Sequence, residues 1–266
     1  MKKFWEIVKI NYKSMIQYKW TFAMSLFAQP FVMIVNYLVF HAIYSYSQGE
    51  QIKGYDMEQM VWFYTANLLV NSFVWNNAVG EISYKIRSGD LSNDLLRPMS
   101  FFTYGLSSMV ASRMIAILMD FLPGMVIYSL ILPPGFMTPA SMLRFLILMI
   151  PTFFLSYLLS FLVGLCAMVI KNDTSLQAIS GVLIAFAGGS LLPMEFYPGW
   201  LEALMDFLPY KYVYYYPIQI FLNKCGGNIW EMWGRILCVQ VIWILGLYLL
   251  YRLAWGRAVK RYCAVG

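Results

Sequence analysis

Charge is what this sequence has least of. Only 12% of its 266 residues are Asp, Glu, Lys or Arg, against 61% hydrophobic and 18% aromatic. A soluble domain carries about a quarter charged residues. This chain therefore cannot clothe a globular surface in polar groups, and lipid must be its solvent. Histidine occurs once, as His41. A zinc site of ordinary ligand spacing is thereby excluded. Ser-His catalysis needs a histidine facing a serine at depth, and His41 falls near the outer end of the first apolar run. The four cysteines, Cys166, Cys225, Cys238 and Cys263, form no Cys-x-x-Cys pair. Only Cys225 falls on an expected outer loop, so no disulfide framework is implied. No Gly-x-x-x-x-Gly-Lys-Ser/Thr run is present, hence no phosphate-binding loop. No basic patch interleaves with base-stacking aromatics, which argues against a nucleic-acid partner.

What the chain has is apolar length. A helix needs about 20 apolar residues to span a bilayer. Six stretches qualify: 21–44, 61–79, 101–132, 143–170, 176–192 and 235–253. The expected fold is an all-α polytopic membrane protein, one domain over residues 1–266. The Lys-rich start runs into a long apolar stretch, so no cleavable signal peptide is expected.

Charge asymmetry sets the expected orientation. With the N-terminus inside, 14 of the Lys and Arg residues fall on the inner side, including Lys85, Arg87, Arg97, Lys171 and Lys260. Only Lys53, Arg144, Lys211, Lys224 and Arg235 fall outside. Both termini are expected in the cytoplasm, and topology accounts for the net charge of +6.

Residues 1–20 read as an amphipathic helix in the headgroup plane. Lys2, Glu6, Lys9, Lys13 and Gln17 lie on one face, with Phe4, Val8, Tyr12 and Met15 on the other. In the second span Asn67 and Asn71 sit one turn apart, followed by Asn76 and Asn77. Amides at that spacing face other helices or an aqueous path. The third span holds Arg113 and Asp120, seven residues apart and on one face. They suit a structural pair, with a proton relay as the alternative. Gly181, Ala185 and Gly189 recur every four residues, a small-residue face on the fifth span.

Residues 81–98 form the longest internal polar run. Ile82 and Ile86 share a face of a short helix, and Lys85 and Arg87 turn towards water. Gly89 suits the left-handed residue that ends such a helix. Asp90 can cap a second short turn bearing Leu91, Leu95 and Leu96, and Arg97-Pro98 ends it. This knob can dock a soluble partner or simply lie on lipid.

Residues 192–217 are too apolar for a free loop and too broken by Pro193, Pro198, Pro209 and Pro217 to span. We expect a re-entrant hairpin near the outer leaflet. Glu195, Glu202 and Asp206 would face the outer water or an exit vestibule, and Trp200, Tyr210, Tyr212 and Tyr214–Tyr216 would form an interfacial belt.

Three features coincide: the basic amphipathic start, the inner loop with Arg87-Ser-Gly-Asp-Leu and Leu95-Leu-Arg-Pro98, and the proline-rich outer hairpin. Together they resemble the permease subunit of type-2 ATP-binding-cassette exporters, most closely bacterial permeases that occur as two related membrane subunits with a separate ATPase. The resemblance implies six spans, a first helix at the cytoplasmic interface, and a coupling helix within 81–98 seated in a groove of the ATPase. It implies an outer gate in 192–217 and a second permease, identical or paralogous. ATP and Mg would be held by the soluble ATPase subunit, with no cofactor on this chain. The location implied is the bacterial cell membrane. The alternative is an ion- or proton-coupled carrier working through Asp120. That would call for several intramembrane carboxylates and inverted repeats, where the chain offers one carboxylate and no clear repeat.

Overall fold

The computed structural model describes residues 2–16, 19–46, 51–97, 99–168, 170, 173–224 and 227–261. Pro98, Lys171, Cys225 and Cys263 lie outside the described residues. The described secondary structure is helical. In chain order the helices are α1 (Lys2–Ile16), α2 (Lys19–Tyr46), α3 (Met57–Val74), α4 (Ala78–Ser88), α5 (Leu91–Leu95), α6 (Phe101–Ala116), α7 (Leu122–Ile131), α8 (Pro139–Leu165), α9 (Asp173–Ala187), α10 (Gly199–Asp206), α11 (Tyr215–Phe221) and α12 (Ile229–Arg261).

The protein is an all-α polytopic membrane protein. The stretches Phe101–Ile131, Pro139–Met168 and Ile229–Val259 are long and apolar enough to cross a bilayer. The other three expected spans fall on α2, α3 and α9. At 15 residues, α9 is only ~22 Å long.

α3 is the centre of the molecule. The successive residues Val61, Trp62 and Phe63, which point in three different directions around the helix axis, are all fully buried. A helix apolar all round belongs in the middle of a bundle. Around it, Phe73 meets Phe121 edge-on at 4.9 Å, Phe145 meets Phe221 at 5.2 Å, and Trp62 meets Phe221 at 5.8 Å. These rings fasten α3, α8 and the buried α11 together. A second aromatic cluster joins α6, α8 and α12. In it Phe102 stacks on Tyr251 at 4.5 Å and Phe101 on Trp255 at 5.5 Å.

The second span does not run to residue 79. α3 stops at Val74 because Trp75 turns extended (φ −59°, ψ 132°). The asparagines cause the break. The Asn76 amide donates to the Val74 carbonyl and accepts from the Ala78 N–H. Short polar side chains compete with the helix for backbone partners in this way. The third span is also interrupted. A π-turn at Ile117–Phe121 precedes Pro123, which has no N–H to give to the preceding turn. At the other end of the membrane, α8 starts cleanly: Thr138 accepts from the Ser141 N–H at 3.1 Å, and Pro139 takes the first helical position.

The amphipathic start is helical over Lys2–Ile16 and packs along α6 with Val8 buried. The small-residue face on α9 is cut short. The helix ends at Ala187, and Gly189 adopts φ +69° in the turn beyond it.

Candidate functional site

Three parts of the fold carry chemistry: the α4–α5 knob, a polar cavity beside the α3–α4 break, and the hairpin that closes one end of that cavity.

In the knob, Gly89 ends α4 at φ +82°, the left-handed geometry expected of it. Asp90 does not cap α5 with its side chain; it accepts instead from the Ser88 hydroxyl at 2.7 Å. Ile82 and Leu91, expected as docking anchors, are buried within the chain itself. Ile82 packs on Gly164 of α8, where an added Cβ would come within 3.1 Å of it. Ile86 is half-buried against Val79, Ala167 and Leu176. Lys85 does not turn to water. Its ammonium bonds to Glu81 at 3.0 Å and to the buried Asp94 at 2.9 Å, and it lies over the Phe101 and Tyr104 rings. Burial would pull Lys85 down, but the bonds to Asp94 and Glu81 outweigh it and hold the group above the usual lysine value. Asp94 also takes Arg97 at 3.0 Å, and Arg97 covers the Tyr104 ring. The knob therefore has a fixed underside and an exposed outer face of Tyr84, Arg87, Asp90, Leu95 and Leu96. Leu96 is 85% exposed. Leu96 stands on the second turn as expected; Tyr84 and Asp94 were not among the expected site residues. Helical spacing from Ile82 and Ile86 places Tyr84 on the opposite, outward face, and that signal could have found it.

Beside the break lies a cavity of about 410 Å³. Asn67, Asn71, Asn76 and Asn77 line it from α3 and the link. Ser156 and Ser160 line it from α8, and Gln177, Ser180 and Gly181 from α9. Asn76 and Asn77, expected within a span, stand instead in the link, where Asn76 also bonds the Ser156 hydroxyl at 3.1 Å. A smaller cavity, about 180 Å³, lies on the far side of the same link under α4 and α6. Trp75, Asn76 and Asn77 border both.

Hydrogen bonds from the hairpin close one end of the larger cavity. The Asn67 amide donates to the Ser190 carbonyl at 2.6 Å, and the Tyr214 hydroxyl donates to Asn71 at 2.6 Å. Tyr64 donates to the Leu191 carbonyl at 3.0 Å. The hairpin also extends further than expected, its returning helix α11 running to Phe221. Pro193 and Pro198 start short helical turns, and Pro209 is buried at the next. Glu195 does not face open water. It is half-buried and accepts from Tyr215 at 2.7 Å and from Tyr55 at 3.1 Å. Asp206 pairs with the buried Lys211, and Glu202 is half-buried on α10. The tyrosines are no lipid-facing belt either: Tyr210 and Tyr214 are buried, while Trp200 with Leu204 and Phe207 is exposed on α10.

Arg113 serves the break. It is buried, and its guanidinium donates to the carbonyls of Asn71 and Ser72 at 3.2 and 3.4 Å while facing the Trp75 ring. The Asn71 carbonyl also takes the Trp75 N–H at 3.0 Å, so it is the Ser72 carbonyl, in the last turn of α3, that depends on Arg113. Asp120 is half-buried in the π-turn on the same stretch.

The ABC-2 family transporter protein model matches residues 31–266. The chain belongs to the ABC-2 transporter family. It is thus the membrane component of an ABC transporter, and the carrier driven by Asp120 gives way to an ATP-linked one. No curated protein matches the chain. For an ABC-2 transporter the three parts fall into one line, with the knob, the polar cavity and the hairpin meeting along α3 and its continuation in α4.

Proposed function

We propose that the chain is the permease subunit of an ATP-driven exporter. It has six spans and both termini on the cytoplasmic side of the cell membrane, and it works with a second permease subunit and a separate soluble ATPase. The knob of α4 and α5 receives the ATPase, and the hairpin between α9 and α11 acts as the outer gate. Inward placement of the knob rests on the strong bias of Lys and Arg to that side.

The observation that carries this reading is the two-sidedness of the knob. A contact that transmits work needs a rigid back and an adhesive front. The Lys85–Asp94–Arg97 cluster and buried Ile82 and Leu91 make the back. Exposed Leu96, Leu95 and Tyr84 beside Arg87 and Asp90 make the front. Apolar and aromatic anchors within a charged rim are what a small interface uses.

The test is Leu96→Asp. The side chain touches little of its own chain, so membrane insertion and melting temperature should stay as in the parent protein. A carboxylate pressed into an apolar pocket should weaken docking by about 2 kcal/mol or more. The ATPase should then fail to co-purify. Normal recovery of the ATPase with full transport would show that the knob is not the coupling element.

A further inference from the structure

We propose that the larger cavity holds the transported molecule by an uncharged, polyhydroxylated headgroup, of the glycoside kind. The proposal rests on the permease reading and adds the class of cargo.

The walls decide the chemistry. The cavity, about 410 Å³, falls within the range of small-molecule sites. None of its described lining residues carries a charge. Its polar groups are amides and hydroxyls, each able to donate and to accept. Sugar hydroxyls have the same double character, so one headgroup can satisfy several wall groups at once. A cation would sit among these apolar helices with no counter-charge, at a cost of several kcal/mol. Arg113, the cation behind the wall, is already spent on the Asn71 and Ser72 carbonyls rather than offered to an anion. A wholly apolar cargo would leave the amides unmatched.

One side chain of the wall carries an unmet acceptor. Asn67 spends its amide N–H on the Ser190 carbonyl, while its Oδ1 is shielded from solvent and has no protein partner. Turned towards the cavity, it would accept from a donor, which a hydroxyl supplies and a quaternary ammonium or a sulfate does not. The apolar part of such a molecule has a way out beside Gly181. This residue is exposed on α9, and no other part of the chain lies within 4 Å of where its Cβ would stand.

The test uses the permease with its ATPase in nanodiscs, in a background without the native cysteines and with a Gly181→Cys reporter, for which there is room. Its labelling by a maleimide is timed with octyl β-glucoside, octyltrimethylammonium or octyl sulfate, all at one concentration below micelle formation. The glucoside should slow labelling at least fivefold, and the two charged probes less than twofold. Asn67→Leu should raise the half-protecting glucoside concentration about tenfold. Gln177→Glu, which keeps size and shape, should bring protection by the ammonium probe even if Asn67→Leu fails to fold. Equal protection by all three probes, or none, would overturn the proposal, leaving a site for chains only or a water-filled space. So would protection indifferent to Asn67→Leu in a folded sample, or no gain of the ammonium probe with Gln177→Glu. The ATPase is scored in the same nanodiscs. Its retention alongside absent protection rejects the cargo class alone, whereas its loss in Leu96→Asp concerns the permease reading.

Discussion

A single guanidinium holds the weakest point of the central helix. Arg113 fills the bonding gap that opens where α3 stops, and it does so from a different helix. Replacing it with Ala leaves the Ser72 carbonyl short of a donor in a buried place, at a cost of about 1–3 kcal/mol. We expect Arg113→Ala to lower the melting temperature of the detergent-purified protein. Arg113→Lys should recover little, because an ammonium lacks the planar fork that reaches two acceptors and faces a ring. Full recovery by Lys would mean that charge alone matters there. At this scale the sequence was half legible. Asn67 and Asn71 announced themselves by polarity at helical spacing, and Gly89 by the geometry only it adopts at low cost. Their partners were hidden, because Ser190, Tyr214 and the α3 carbonyls come from segments distant in sequence. Glu195 misled for the same reason: a carboxylate in an apolar hairpin reads as water-facing until Tyr55 and Tyr215 are seen to bond it.

At the scale of elements, the contact between α4 and α8 turns on Ile82 against Gly164. A side chain at 164 must push α4 away, since Ile82 is buried and cannot swing aside. We expect Gly164→Val to cost about 1–3 kcal/mol, as overpacking does, and to impair ATP-driven transport. Adding Ile82→Ala should give part of that loss back. A double-mutant cycle on thermal stability would show the coupling directly; strict additivity would mean that the two helices do not press on each other there. The helices themselves were legible as apolar runs, but their interruptions were less so. Hydropathy alone carries the second span through to residue 79. The Asn76 amide, bonding backward to Val74 and forward to Ala78, cuts it five residues sooner than that. The π-turn before Pro123 has a visible cause, yet proline signals only that something must yield and not how.

At the scale of the whole molecule, composition was the most telling feature. A chain with so few charges has lipid as its solvent, and lipid admits only helices or closed barrels. The motifs of the inner loop and outer hairpin then pointed to the family. Orientation is open to a direct test with single cysteines at exposed positions, in a background without the native four. Lys53→Cys and Asn228→Cys should react with an impermeant thiol reagent on intact cells, and Asn93→Cys only after the cells are opened. Reaction at position 93 from outside would reverse the topology. Lys224 would be a poor reporter on the same side, because it is half-buried over the Tyr55 ring.

The link at Trp75–Asn77 bears on how movement can pass through the chain. One unbroken rod would swing its outer tip whenever its inner tip swung. α3 and α4 are instead two rods on a swivel. With 11 residues, α4 is ~16 Å long, so a tilt of ~10° about the link carries its far end ~3 Å while α3 stays fastened in its ring of aromatics. The two ends of the larger cavity are then worked by separate parts, the inner by a lever and the outer by a latch. Like the doors of an airlock, they have no mechanical need to open together.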